Sequence, residues 1–315
     1  MASTARIGPQ AAAIDALRAA TVAQAEVPAA PWADRALETS HGRVAVRETT
    51  GVGLPLVLVH GNSGCKDVFR GQLCGALGAR HRMVAVDLPG HGASDDALDP
   101  ARSYTITGYA DLVVEVTEIL GLARYALLGW SLGGHVALEA CASAPGVAGV
   151  MTVGAPPIGA TAETIVQAFM PGPLVGLGMK AELSDDEVAT FAAAAGIARD
   201  PVLVAAIRRA DGRARATVMA DALAGGASDE RAIVESMRIP LAVIDGAEDP
   251  FVHGAYVDGL RYGSLWEGRR HAIPRVGHAP FLAAPEVFNA ILARFLRYVE
   301  GRADDGHGFG TCLGG

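Results

Sequence analysis

A chain of 315 residues, half of them hydrophobic and 19% charged, carries enough apolar side chains for a large buried core, which excludes a mostly disordered protein. Its formal net charge of -8 repels phosphate backbones, so nucleic acid is not an expected partner. The four cysteines, Cys65, Cys74, Cys141 and Cys312, show neither CxxC pairing nor metal-ligand spacing; they read as ordinary thiols, and no metal or cofactor is implied.

The first twenty residues, MASTARIGPQAAAIDALRAA, lack the basic start and continuous apolar stretch of a secretory signal, and Asp15 and Glu26 count against a transit peptide. No later segment offers about 18 uninterrupted apolar residues. A soluble, cytoplasmic chain without a membrane partner is expected. Residues 1–36, rich in Ala and interrupted by Pro28 and Pro31, read as a flexible N-terminal extension outside the core.

From Arg43 onward, short apolar runs alternate with helix-length segments. The runs are VAVRE at Val44, PLVLVH at Pro55, RMVAVDLPG at Arg82, YALLGW at Tyr125, VAGVMTVG at Val147, PLAVIDG at Pro240 and HAIPRVGH at His271. Continuous Val, Leu and Ile runs mark strands buried on both faces, so the fold class is α/β with a mostly parallel sheet flanked by helices. Packing helices are predicted over residues 108–120, 132–144 and 286–299. Between about Pro157 and Met237 the alternation stops. Helix-like pieces and a Gly/Pro-rich section predict an inserted helical lid over residues 157–237, dividing a core of residues 37–156 and 238–300, with a flexible tail at 301–315.

The central chemical signal is Gly129-Trp130-Ser131-Leu132-Gly133-Gly134, between a strand-like run and a helix-like segment. Small flanking residues let the chain turn sharply, lifting Ser131 into the open with a helix N-terminus aimed at it. A serine near neutral pH needs a base whose pKa lies close by, and histidine, at about 6.5, is the usual one. Taken in the chain order serine, acid, histidine, His253, His271, His278 and His307 compete for that role; His278, in the loop of Val276-Gly277-His278-Ala279-Pro280, is favoured. Gly246-Ala247-Glu248-Asp249-Pro250 supplies the acid that orients the imidazole, with Asp249 preferred and Glu248 left as the alternative. His60-Gly61-Asn62-Ser63-Gly64 supplies backbone N–H groups for a developing oxyanion; Asn62 and Leu132 are the expected donors. The loop from Asp87 to Asp95, including His91, reads as structural.

HGNSG, DLPGHGASD, GWSLGGH, GAEDPFV and VGHAPF, in this order and spacing, resemble the α/β-hydrolase superfamily from Leu37 to about Val299. Within it, ETSHGRVAVRE, SYTITGYAD, DGRAR and LWEG add a resemblance to metal-independent N-acyl-homoserine lactonases. That resemblance implies an α/β-hydrolase fold and a catalytic triad of Ser131, Asp249 and His278. It also implies Asn62 in the oxyanion hole, and a substrate pocket including Gly61, Trp130, whose indole N–H would reach a substrate carbonyl, and Phe191, which stands where the family has a lid tyrosine. The expected substrate is a small ester or lactone. An open-chain carboxylesterase and a non-catalytic small-ligand receptor are the competing readings. Phe169, Met170, Leu174, Val175, Leu177, Met179 and Phe191 are expected to give the lid an apolar lining suited to an acyl chain.

Overall fold

The computed structural model describes residues 32–302. Their strands are β1 (Trp32–Thr39), β2 (Gly42–Thr49), β3 (Gly53–Val59), β4 (His81–Val86), β5 (Tyr125–Trp130), β6 (Val147–Val153), β7 (Leu241–Gly246) and β8 (His271–Ile273). They form one sheet in the order β1-β2-β4-β3-β5-β6-β7-β8. β1, β2 and β4 pair antiparallel, and every pair from β4 to β8 is parallel. Because β4 lies on one side of β3 and β5 on the other, the loops leaving the C-terminal ends of β3 and β5 diverge. That divergence opens the crevice where parallel α/β sheets bind ligands.

Alternation along the strands sends Val57, Val59, Leu127 and Val243 to one face and Leu56, Leu58, Leu128, Met151 and Ile244 to the other, so both faces are covered. The first face packs against α1 (Ile106–Ile119) and α2 (Leu132–Ser143). Thr105 starts α1 by accepting the Gly108 N–H at 2.8 Å.

Between β6 and β7 the chain forms α3 (Ala162–Ala168), α4 (Pro173–Leu177), α5 (Asp185–Ala194), α6 (Pro201–Arg209), α7 (Gly212–Leu223) and α8 (Glu230–Ser236). Side-chain caps punctuate this insertion: a Ser184/Glu187 capping box opens α5, and Asp200, Asp211 and Asp229 cap α6, α7 and α8. Asp211 also accepts the Tyr104 hydroxyl at 2.7 Å, which ties α7 to the core. The C-terminal α9 (Pro285–Gly301) lays Phe288, Leu292, Phe295 and Leu296 on the second sheet face. Among the described residues no helix is long and apolar enough to cross a membrane.

One expectation changes. Residues 32–36, read as part of the extension, pair with β2 in the register Trp32↔Thr49. Only Leu37 of β1 is buried, so this edge strand has no apolar run to betray it. Cys65 and Cys74 are free thiols. Cys312 and the remainder of the N-terminal extension and the tail lie outside the described residues.

At the end of β4, fully buried Asp87 accepts hydrogen bonds from the Lys66 backbone N–H at 2.6 Å, the Lys66 ammonium at 2.7 Å and the Ala93 N–H at 2.9 Å. Removing one partner leaves the other charge buried alone. Asp87→Ala is expected to cost about 3–5 kcal/mol in urea unfolding; a loss under about 1 kcal/mol would show that the loop does not depend on this pair.

Candidate active site

Ser131 caps α2 with φ 54° and ψ -122°, a conformation few non-glycine residues adopt. Its N–H donates to the Val153 carbonyl at 2.8 Å, and its own carbonyl accepts the Gly134 N–H at 2.8 Å, so the turn is held on both sides. Glycine is required at 133, where a Cβ would collide with the Val59 carbonyl. A serine in this position ordinarily caps the helix with its hydroxyl. Here the hydroxyl makes no capping bond, and Ser131 lines an open cavity.

Behind the serine, His278 Nδ1 donates to Asp249 Oδ2 at 2.8 Å, and both side chains are almost fully buried. The other carboxylate oxygen accepts the N–H groups of Phe251 at 2.8 Å and Val252 at 3.2 Å. Nδ1 therefore carries the proton and Nε2 is left as the basic nitrogen. Glu248 is exposed and makes no hydrogen bond to His278, so the geometry favours Asp249 over it. Gly154, at φ 59°, passes so close that a Cβ would sit 2.9 Å from His278 Nδ1. Ser131 and His278 line the same cavity, but the Ser131 hydroxyl makes no hydrogen bond to the imidazole in this conformation. Such contacts commonly tighten only when substrate binds.

The other candidate histidines stand elsewhere. His253 is exposed and bonds the Gln167 carbonyl; His271 stacks on Trp266 with ring centroids 5.0 Å apart, and burial pushes it down to about 4. His307 lies outside the described residues.

Trp130 corrects one expectation. Its indole N–H donates to the backbone carbonyl of His278 at 2.8 Å, so it is not available to a substrate carbonyl. The ring still walls the cavity, and together with Phe251, whose ring centroid lies 4.6 Å from that of His278, it fixes the imidazole in place. A pairing across 148 positions of chain leaves no local trace in the sequence.

The loop after β3 is held by two buried, neutral imidazoles. His60 Nδ1 donates to the Gly61 carbonyl and its Nε2 accepts the Leu88 N–H at 3.1 Å; His91 Nδ1 donates to the Pro89 carbonyl and its Nε2 accepts the Ser63 N–H at 3.2 Å. Burial lowers both, His91 down to about 3. Gly61 approaches so closely that a Cβ would lie 3.0 Å from the Ser131 Cβ. The backbone N–H of Asn62 has no acceptor among the described residues, and that of Leu132, first in α2, has none within its helix. These two free donors flank the serine.

Asn62 also reaches the insertion, where its Nδ2 donates to the Gly178 carbonyl at 2.9 Å, while its Oδ1 accepts the Ser63 hydroxyl at 3.1 Å. Buried Arg215 completes the bridge, donating to Ser63 Oγ at 3.1 Å and to the carbonyls of Lys180 and Ala181 at 2.8 and 2.7 Å.

The cavity spans about 890 Å³ of space, the open solvent at its mouth included. Phe169, Leu174, Val175 and Phe191 line it as expected, and Met219, with Val218 and Ala222, joins them from one face of α7. Met170 and Met179 instead point outward, 41% and 36% exposed. Among the described residues no charged side chain lines the cavity, and its polar side chains besides Trp130 are Asn62, Ser131, His135 and His278. His135 was visible in GWSLGGH as a residue, but nothing in the sequence marked it as facing the site.

A mostly parallel sheet whose central strand ends in a strained serine turn, beneath a helical insertion, is the α/β-hydrolase architecture. A model of the alpha/beta hydrolase family matches residues 56–291, and the chain belongs to that family. It is 42% identical to the N-acyl homoserine lactonase AidH, solved in complex with N-butanoyl homoserine, with a TM-score of 0.81 and coverage of 85% of this chain and 97% of that one. It is also 30% identical over 259 residues to a pimeloyl-[acyl-carrier protein] methyl ester esterase of Nitrosomonas europaea, covering 76% of this chain and 95% of the relative. An esterase of the same name from Stenotrophomonas maltophilia is 31% identical over 265 residues, covering 79% and 95%. The chain is a hydrolase acting on ester bonds.

Trp130→Phe, which removes the bond to the His278 carbonyl together with part of the cavity wall, is expected to lower kcat about tenfold; an unaltered kcat on a chromogenic ester would show that the bond does not position His278. The pH dependence of stability tests the buried imidazoles. A histidine whose folded pKa is depressed contributes stability that is present above its unfolded value of about 6.5 and is lost as pH falls. Asp245, pushed up to about 6 by burial, acts in the opposite sense: its contribution is present at low pH and fades as pH rises through 6. The cost of His91→Gln, from urea midpoints, is therefore expected to be largest at pH 7 and to shrink towards pH 4, by up to about 1.4 kcal/mol per pH unit. A cost independent of pH would mean that His91 is not held neutral.

Proposed function

We propose that the chain opens the lactone ring of N-acyl homoserine lactones, with Ser131 as nucleophile, His278 as base and Asp249 as the carboxylate that orients it. The observation that carries this reading is the likeness to a solved N-acyl homoserine lactonase at 42% identity over nearly all of that protein. The uncharged, mostly apolar cavity supports it, since an acyl chain and a neutral ring need no ionic partner.

In the proposed reaction His278 Nε2 takes the Ser131 proton as Oγ attacks the ring carbonyl, and the N–H groups of Asn62 and Leu132 receive the oxyanion. Collapse breaks the ring C–O bond, His278 returns the proton to the departing alkoxide, and an acyl-enzyme bearing a tethered alcohol remains. Water, deprotonated by His278, then attacks the acyl carbon; the proton passes back to Ser131 Oγ as the acid is released. Gly61, Trp130 and Phe191 shape the pocket, and the insertion over residues 157–237 acts as its lid. Phe191 has no hydroxyl, so the substrate amide must find its partner elsewhere.

A second reading, hydrolysis of an open methyl ester, is favoured by the names of the curated relatives. Incubation with N-hexanoyl homoserine lactone, followed by mass spectrometry, separates the two: the lactonase reading expects a gain of one water per molecule, and an intact lactone alongside a hydrolysed methyl ester would reject it. Ser131→Ala is expected to lower turnover about a thousandfold or more while keeping the unfolding midpoint near wild type; undiminished turnover would identify another nucleophile.

A further inference from the structure

The cavity holds a second histidine paired with a carboxylate. His135 lies on α2 one helical turn beyond Ser131 and lines the cavity beside Phe169, with ring centroids 6.2 Å apart. Its Nδ1 stands 3.0 and 2.9 Å from the two oxygens of Glu230, a residue with no exposed surface on α8 of the insertion. Glu230 Oε2 also accepts the Ile158 N–H at 2.9 Å. In the tautomer whose Nδ1 proton this buried carboxylate accepts, Nε2 is a hydrogen-bond acceptor without a partner among the described residues. The ester chemistry proposed for this cavity uses Ser131, His278 and two backbone amides, and His135 has no part in it.

We infer that His135, oriented by Glu230, is a specificity-determining residue whose Nε2 accepts a hydrogen bond from an N–H group of the substrate's acyl part, a few bonds from the scissile carbonyl. The class of substrate so recognised is an α-acylamino ester or lactone. Apolar walls around a fixed acceptor make the interaction selective, because a substrate that lacks the donor leaves Nε2 buried without a partner. The tie between α2 and α8 alone would be a packing device; an acceptor facing the cavity adds discrimination. This inference rests on Ser131 acting as an ester-cleaving nucleophile and not on the substrate being a ring.

Two open esters of equal chain length test it apart from the lactonase reading: methyl N-butanoylglycinate, which bears the N–H, and methyl heptanoate, which does not. His135→Leu is expected to lower kcat/KM about tenfold on the glycinate, mainly through KM, and to leave the heptanoate within about twofold; tenfold corresponds to about 1.4 kcal/mol, the size of one hydrogen bond. His135→Gln, which restores an acceptor oxygen at similar reach, is expected to recover the glycinate to within about threefold. Equal losses on both esters, or no loss on the glycinate, would overturn the assignment. Should the leucine variant not fold, wild type decides: kcat/KM on methyl N-butanoylsarcosinate, whose amide has no N–H, is expected about tenfold below the glycinate, and equal values reject the subsite. Wild-type chain that cleaves neither methyl ester would reject the subsite, and with an inert lactone as well the ester chemistry beneath it, whereas an inert lactone with a selective glycinate would reject only the ring substrate.

Discussion

The backbone conformation of Ser131 is the constraint on which the site depends. A non-glycine residue at φ 54° and ψ -122° costs on the order of 1–3 kcal/mol, and it persists only where its surroundings leave no alternative. Here β5 lies in the middle of the sheet, paired with β3 on one side and β6 on the other, and α2 begins without a spacer. The glycine at 133 lets α2 press against the end of β3. Were the turn to relax, the hydroxyl would be free to cap its own helix, and the Leu132 N–H would no longer flank an open serine.

Around that turn, the protein manages charge by placing neutral groups nearest the cavity and ionic ones farther out. His60 and His91 brace the loop after β3 as uncharged rings, the Lys66–Asp87 pair sits beneath the adjoining loop, and Arg270 bonds Asp245 on β7, the strand that leads to Asp249. Such an arrangement gives the loops around the cavity rigidity.

Much of this site is legible in the sequence, because the residues assigned to chemistry sit just past buried apolar runs, where a parallel sheet delivers loops to one edge. Gly61 and Asn62 follow β3, Ser131 follows β5 and Asp249 follows β7, so strand ends and motif spacing suffice to find them. His278 needed a choice among four histidines, and its distance from Asp249 bears on that choice only once the loops are folded. Other features left no such trace. β1 is an edge strand with one buried side chain, and neither apolar length nor periodicity distinguishes it from a linker. The outward turn of Met170 and Met179 and the inward face of α7 depend on how the insertion lies on the core, which composition does not determine. The role of Trp130 as a support for His278, and the approach of Glu230 to His135, join residues 148 and 95 positions apart.

The hydrogen bonds from Asn62 to Gly178 and from Arg215 to Ser63 have a mechanical consequence. They span the seam between the sheet's loops and the helices above it, so whatever lifts those helices also tugs on the amide beside the serine. In the proposed reaction, entry of a ligand and readiness for attack are thereby geared to one another. A raised cover would leave the serine poorly equipped to react, and a seated one would restore the pair of amides only after the guest has been enclosed.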